Sequence, residues 1–534
     1  MTKKYALLFA ALCVFWYACH NKQGKQDKKS QRDTTINHRT SFNNLFLDSA
    51  ALDEFLNKND SLKNYREQYF DFYRQRNYEY AWFDSSGITE QVHNFLNLES
   101  ASINTLKDSS LYNKALENLV SKLSGSDAHD YRDSIPKAEL LLTGQFFTYA
   151  AKVYKGTDAD ISQLGWFIPR KKVDLTAVLD SVIATHGAPP DQFVPLNAQY
   201  KKLVSFLPQY SEIQKKYPGD TIARPEKPIH KGEKSPVVPA IKERLAILGD
   251  LAVSDSTNIF DTALYRGVKN FQRRMGLSVD GVIGAKMITE LNVPIAQRVQ
   301  QILINLERLR WMPQDNETNY VFVNIPEYKL YVFDSGKLQF TMNVIVGSAA
   351  NNTVVFNGNL KYIVFAPYWN VPESIVQKEI VPNIKKDPNY LTKNNMEITG
   401  HSHGLPIVRQ KPGGNNSLGL VKFLFPNNYN IYFHDTPNRE LFSTSSRSLS
   451  HGCIRLSEPM KFAQYLLRGD TTAYPEHKID SLMHGSKEDW VTLKKPLPVF
   501  IGYFTAWVDG NGVLNFRKDI YKHDEEMADK LFIK

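Results

Sequence analysis

Cysteine is almost missing from the part of this chain that can fold. Of three in 534 residues, Cys13 and Cys19 fall within the first nineteen positions, which leaves Cys453 alone. A fold stapled by disulfides is therefore excluded. No long apolar run marks a multi-span membrane chain: the uncharged stretch Tyr5 to Ala18 is shorter than the roughly 20 residues a spanning helix needs. A basic folded face is missing too. The net charge is +9, from 65 basic and 56 acidic residues, but residues 1 to 40 hold Lys3, Lys4, Lys22, Lys25, Lys28, Lys29, Arg32 and Arg39 against only Asp27 and Asp33. Most of the excess thus sits on one Ser/Gln/Lys-rich stretch, whereas reading a phosphate backbone needs basic charge clustered on a folded surface. Nucleic acid is not the expected partner. With 42% apolar, 12% aromatic and 23% charged residues, the composition is that of an ordinary globular protein. At roughly 150 residues per domain, the length implies three or four domains.

The ends carry the first positive signals. Lys3-Lys4 followed by the apolar Tyr5 to Ala18 has the layout of a secretory signal over residues 1–18, so the chain is expected in the periplasm or cell envelope. Trp16-Tyr17-Ala18-Cys19 resembles the lipobox of bacterial lipoproteins, which implies lipidation at Cys19, an anchor held by a flexible tether over 19–41. Trp16 stands where that pattern prefers Leu, so a cleaved soluble form stays open.

The fold class expected is multi-domain α+β. Residues 42–217 read as helical, with Leu111, Leu116 and Leu119-Val120, then Leu140-Leu141-Leu142 and Phe146-Phe147 at helical spacing. The aromatics of Phe72 to Tyr78 and Ala81-Trp82-Phe83 read as core. A Pro, Gly and Lys-rich linker spans 218–236. Residues 237–293 form a compact unit in which Ile241, Leu245 and Leu248 share one helix face and Leu264, Val268, Phe271 and Met275 another. With Phe271-Gln272 and Val279-Asp280-Gly281-x-x-Gly284, it resembles the small three-helix peptidoglycan-binding domain. From 297 to 505 the texture is β-rich: Tyr320 to Ile325, Lys329 to Phe333, Leu338 to Val346 and Tyr362 to Phe365. A helix-and-loop insertion over 372–414 interrupts it, as lids and binding loops do, and 506–534 reads as a C-terminal tail.

The chemistry concentrates in Tyr432-Phe433-His434-Asp435 and Ser450-His451-Gly452-Cys453-Ile454-Arg455. A thiol at its reference pKa of about 8.5 is only a few per cent thiolate at neutral pH, so a nucleophilic cysteine needs a base or cation beside it. A histidine near Cys453 can take the thiol proton and return one to a leaving amine. The amides of Gly452 and Cys453 could face a developing oxyanion, each donor being worth about 3 kcal/mol. Arg455 offers a fork of donors that could steady the loop, the favoured role, or meet a substrate carboxylate.

These residues resemble the signature of the YkuD-type L,D-transpeptidases. Asn305-Leu306-Glu307-Arg308, Ala366-Pro367-Tyr368-Trp369-Asn370-Val371-Pro372, Arg409-Gln410-Lys411-Pro412-Gly413-Gly414, Leu418-Gly419-x-x-Lys422-Phe423 and His434-Asp435-Thr436-Pro437 resemble its large YcbB-like subgroup. That subgroup has a helical scaffold, a peptidoglycan-binding domain and a capping insertion in the catalytic domain. The resemblance implies Cys453 as nucleophile, His434 as general base, His451 in support of the thiol, and the Asp435 carbonyl orienting His434. It places Trp369 and Tyr432 along the substrate cleft, where either could equally be core, with Ser450 and Arg455 as further substrate contacts. It implies peptidoglycan cross-linking between stem peptides, acylation by carbapenems and no cofactor. Transfer to water, as a carboxypeptidase, stays open. So do a zinc site of His434, His451 and Cys453 with His401 or His403, since two His and one Cys suit that metal, and an inert wall-binding lipoprotein.

Overall fold

The computed structural model of the chain describes residues 31–532 except 38, 40, 42, 107–108, 125–132, 157–159, 171, 186–197, 218–220 and 313–317. The signal, Cys19 and most of the tether lie outside the described residues. The chain divides into two compact units, Met1–Tyr154 with Val173–Val194, and Lys155–Lys172 with Pro195–Lys534.

The first unit is helical. Ile135–Ala150 buries residues around its whole circumference, among them Ala138, Leu142, Phe146, Phe147 and Ala150, as a helix surrounded by others must. Asp48 and Asp174 begin neighbouring helices by accepting from Ala50 N, and from Thr176 N and Ala177 N, which satisfies amides that have no intrahelical partner. Trp82, Phe95, Phe146 and Tyr149 pack with ring centroids 5.2 to 6.3 Å apart, so the aromatic run is core as expected. A short hairpin, β1 (Phe83–Asp84) with β2 (Gly87–Ile88), turns back at Ser85-Ser86.

The span 42–217, read as one helical domain, contributes to both compact units. Residues 155–172 and the helices Ala198–Val204 and Phe206–Lys216 belong to the second unit. Helical periodicity marks each helix but carries no record of which core it joins. The linker 218–236 is likewise not free chain: Ile222 and Ile229 are buried, Ile222 N donates to Asn292 Oδ1 at 2.9 Å, and Ile229 bridges Ile283. Its Pro and Lys content masked two apolar anchors.

Next come the helices Val238–Ile247, Thr262–Arg274 and Ala285–Leu291. Gln272 explains the spacing of its landmarks. Its amide donates to Asp280 Oδ1 and Val282 O, and its carbonyl accepts from Gly281 N at 2.9 Å, clipping the turn onto the middle helix.

The β-rich region is a closed sheet. Its strands are β3 (Tyr320–Asn324), β4 (Lys329–Asp334), β5 (Lys337–Gly347), β6 (Phe356–Phe365), β10 (Val421–Leu424), β11 (Phe433–His434), β12 (Ser448–Ser450), β13 (Ile454–Leu456) and β14 (Asp489–Gly502). They run in the order β12-β5-β13-β11-β10-β6-β14-β3-β4, and β4 also pairs with β5 to complete the ring. The insertion carries more strand than expected: β8 (Met396–Ser402) and β9 (Leu405–Gln410) join β7 (Trp369–Asn370), just before it, in a sheet of order β7-β9-β8. Short helical segments between 373 and 393 cover it around a core of Val371, Val376, Ile380 and Val408. The C-terminal tail is folded as well. β15 (Ala506–Val508) pairs with β16 (Leu514–Phe516), the helix His523–Leu531 follows, and Phe516 and Tyr521 are buried.

Candidate active site

Sheet register assembles the site. β11 pairs antiparallel with β10, Lys422 opposite His434, and parallel with β13, His434 opposite Arg455. Phe423, Phe433, Ile454 and Leu456 are fully buried in the core. Because side chains alternate along a strand, Tyr432 and His434, with Cys453 and Arg455 beside them, share the opposite face. The apolar pattern of two short strands thus brings a histidine and a cysteine nineteen positions apart to one place.

His434 is fixed by its neighbour. Its Nδ1 lies 2.5 Å from the Asp435 carbonyl, and since a carbonyl only accepts, Nδ1 carries the proton and Nε2 is the basic nitrogen. The Asp435 carboxylate is buried and accepts from Leu420 N at 2.9 Å and Arg439 Nη2 at 2.7 Å. It lies so close to Gly419 that a Cβ there would sit 2.4 Å from Asp435 Cγ. Gly419 also has a φ of +65°, which explains the Leu418-Gly419 landmark.

The sulfur of Cys453 lies 3.5 Å from the Asn430 carbonyl, and its thiol is in hydrogen-bond contact with the Tyr432 side chain. The Tyr432 ring stands 5.8 Å from that of His434, so it spans thiol and base. Burial raises the thiol above its ordinary range, against the opposing pull of the Tyr432 bonds and the Arg455 charge. Burial, then the Arg455 charge, holds the His434 imidazolium down at about 3, although the Asp435 and Leu418 carbonyls oppose this. At neutral pH the resting pair is therefore an uncharged thiol and an uncharged imidazole. Burial also lowers Arg455, and its Nε is buried without a partner among the described residues.

Several expected roles change. The Gly452 amide is not free for an oxyanion: it donates to Ser450 Oγ at 3.1 Å. Gly452 is needed instead for its backbone, at φ +112°. Ser450 is buried, and its hydroxyl also donates to the Cys453 carbonyl at 2.5 Å, so it shapes the turn and is closed to substrate. His451 is exposed and reaches Glu379 of the insertion at 3.3 Å, a partner the expected support of the thiol did not foresee. Trp369 packs against the insertion's own core, the other of its two readings. Among the described residues Arg455 shows no hydrogen bond that would steady the loop, and its charge bears on both His434 and Cys453. Among the described residues no group of three or more His, Cys, Asp or Glu could hold a metal ion. Asn430, at φ +56°, was missed. The turn-rich run Asn427-Asn428-Tyr429-Asn430 was its only trace.

Residues 318–475 match the L,D-transpeptidase catalytic domain, YkuD. Residues 67–207 match the scaffold domain, and 234–291 the family described as "Putative peptidoglycan binding domain". The chain thus joins a helical scaffold domain, a peptidoglycan-binding module and a β-rich catalytic domain of the YkuD type. A "Putative L,D-transpeptidase" of Haemophilus influenzae is 32% identical over 243 residues, 43% of this chain and 49% of that protein. The match therefore spans about half the length of that relative. Among solved structures, the chain is similar to an L,D-transpeptidase from Xylanimonas cellulosilytica (15% identity, 52% of this chain, 100% of that one, TM-score 0.17). It is similar also to one from Stackebrandtia nassauensis (15%, 53%, 98%, TM-score 0.23). Overlaps this small add nothing to the geometry above.

Proposed function

We propose that the protein is a peptidoglycan L,D-transpeptidase, exported to the cell envelope and anchored through Cys19. The observation that carries this reading is the meeting of His434, Tyr432 and Cys453 on one sheet face inside the span that matches the YkuD domain. The order of scaffold, peptidoglycan-binding and catalytic domains supports the large YcbB-like subgroup. The signal layout and Cys19 support the anchor.

In the reaction, the Cys453 sulfur bonds to the carbonyl carbon of the third residue of a tetrapeptide stem while its proton passes to His434 Nε2. The carbon–nitrogen bond to the terminal D-Ala then breaks, and His434 returns the proton to the departing amine. A side-chain amine of a second stem attacks the thioester, loses its proton to His434, and releases the thiol. Because burial and Arg455 disfavour a free imidazolium, proton transfer is coupled to attack and does not precede it. As charge builds on sulfur, the Tyr432 contact and the Arg455 guanidinium stabilise it. The Cys453 amide is the remaining nearby oxyanion donor. Carbapenems, as strained acyl donors, would acylate the same sulfur.

The test is incubation with disaccharide-tetrapeptide and separation of the products. A cross-linked dimer with release of D-Ala supports the reading. D-Ala without dimer makes the protein a carboxypeptidase, and no product at all removes the activity. For the anchor, Cys19→Ser should move the protein from the membrane to the soluble fraction, and unchanged fractionation would remove Cys19 from anchoring.

A further inference from the structure

The turn that presents the thiol does not hold itself. Gly452 lies at φ +112°, a region without local preference in L residues, and its internal tie is the Ser450 hydroxyl bridging Gly452 N and Cys453 O. A second tie comes from outside. Thr353, fully buried in the loop between β5 and β6, donates from Oγ1 to the Gly452 carbonyl at 2.7 Å. The same hydroxyl accepts from Gly347 N at 2.9 Å, so its donor and acceptor capacity is used in a fixed sense.

Thr353 is itself pinned. Its amide donates to the Tyr521 hydroxyl at 3.3 Å, and that hydroxyl donates to the Gly347 carbonyl at 2.6 Å, closing a ring through Gly347, Thr353 and Tyr521. A Cβ at Gly347 would meet the Asn351 carbonyl at 2.0 Å, so the loop folds back tightly over the end of β5. Ser348 N adds a bond to the Ser450 carbonyl at 2.9 Å. Tyr521 is held in turn, its amide donating to the Tyr503 hydroxyl at 3.0 Å. Residues beyond the YkuD match, which ends at 475, thus reach the nucleophile turn through two hydrogen bonds.

We infer that Thr353 is a positioning residue for Cys453, with Tyr521 fixing Thr353. Without the Thr353 hydroxyl, the Gly452 carbonyl loses its partner, and the turn can rotate the amide and sulfur that the reaction needs in register. This rests on the acyl-transfer reading for its kinetic consequence but not for its chemical one.

The experiment uses the full chain with Thr353→Val, which keeps shape and removes the hydroxyl, Thr353→Ser, which keeps the hydroxyl, and Tyr521→Phe. Folding is checked by thermal melting. Two readouts follow: the pH profile of iodoacetamide alkylation at Cys453, located by peptide mass, and kcat and KM for stem-peptide acylation. Thr353→Val should shift the alkylation profile and lower kcat about 10- to 100-fold with KM nearly unchanged, as small misplacements of reacting groups do. Thr353→Ser should restore both, and Tyr521→Phe should show a smaller loss of the same kind. A folded Thr353→Val with the wild-type profile and kcat overturns the inference. Should Thr353→Val fail to fold, a wild-type alkylation profile in Tyr521→Phe overturns it instead. Alkylation needs no stem peptide, so a wild-type protein that alkylates but forms no product removes the proposed function while the positioning role stands.

Discussion

The buried polar centres of the helical scaffold and of the β-rich domain are built on opposite terms. In the scaffold, Glu139 is fully buried, yet its carboxylate accepts from Ala81 N at 2.7 Å, Trp82 N at 3.0 Å and the Tyr73 hydroxyl at 2.9 Å. Thr143 closes the set, joined to the Tyr73 hydroxyl and to Trp82 Nε1. Every donor has a partner, which is how a buried polar group stabilises a core. In the β-rich domain, His434 is tied through Nδ1, Arg455 keeps a buried Nε without a partner among the described residues, and the Cys453 sulfur has a long contact to the Asn430 carbonyl and bonds to Tyr432. Unused capacity in a buried site costs stability, and it is what a reacting group needs on arrival. Of these two centres, the satisfied one serves the core and the one with spare capacity serves chemistry.

Breaking each centre should therefore hurt a different property. The largest effect is expected from His434→Ala, which should lower kcat for acylation by about 10²- to 10⁴-fold, the usual worth of a general base, with little change in melting temperature. Rate assays beside a thermal melt check this, and a variant within about tenfold of wild type would remove His434 as the base. Glu139→Ala should do the reverse. It strands the Ala81 and Trp82 amides, costs the scaffold about 3 kcal/mol, and leaves Cys453 alkylation unchanged, as chemical unfolding and alkylation rates will report.

The pH dependence sharpens the contrast further. Burial raises Glu139 and Glu99 to about 7 and Asp180 to about 6, all in the scaffold. A carboxyl whose folded value is raised favours folding below its unfolded value, near 4, and loses that contribution as pH rises through the folded value. Scaffold melting should accordingly fall between pH 4.5 and 7, and a flat profile would contradict these assignments. Alkylation of Cys453 should instead climb only above the ordinary thiol range, with no inflection near 6.5, because burial raises the thiol and His434 is already neutral. An inflection near 6.5 would signal a resting ion pair. The smallest effect is expected at His451, whose bond to Glu379 is exposed. His451→Asn should leave acylation within about threefold, in keeping with the modest worth of exposed pairs.

Much of the site was legible because its determinants are local. The alternation of Phe433 and Ile454 with His434 and Arg455 fixes which side chains share a face, and the lone Cys453 names its own chemistry. The Asp435 carbonyl was implied by the family resemblance, and it stands against His434 Nδ1. What escaped depends on contacts distant in sequence. No local pattern shows that Thr353 Oγ1 meets Gly452 across 99 positions, or that Ser450 takes the Gly452 amide expected for the oxyanion. At the level of fold, helix and strand textures were readable, but partition was not. Residues 155–172 follow the scaffold helices in sequence, yet Trp166 packs against Trp311 at 5.4 Å and Phe504 at 6.0 Å. The tail escaped for a like reason, since Tyr521 is bonded to Gly347, distant in sequence, and to Tyr503.

The central claim is that Cys453 carries the acyl group. Intact-protein mass spectrometry after brief exposure to a tetrapeptide stem, with peptide mapping, tests it most directly. The account predicts a mass increment equal to the stem less its terminal D-Ala, mapped to Cys453 and absent in a folded Cys453→Ala. Stem-derived product formed by Cys453→Ala, or an increment on any other residue, would contradict it.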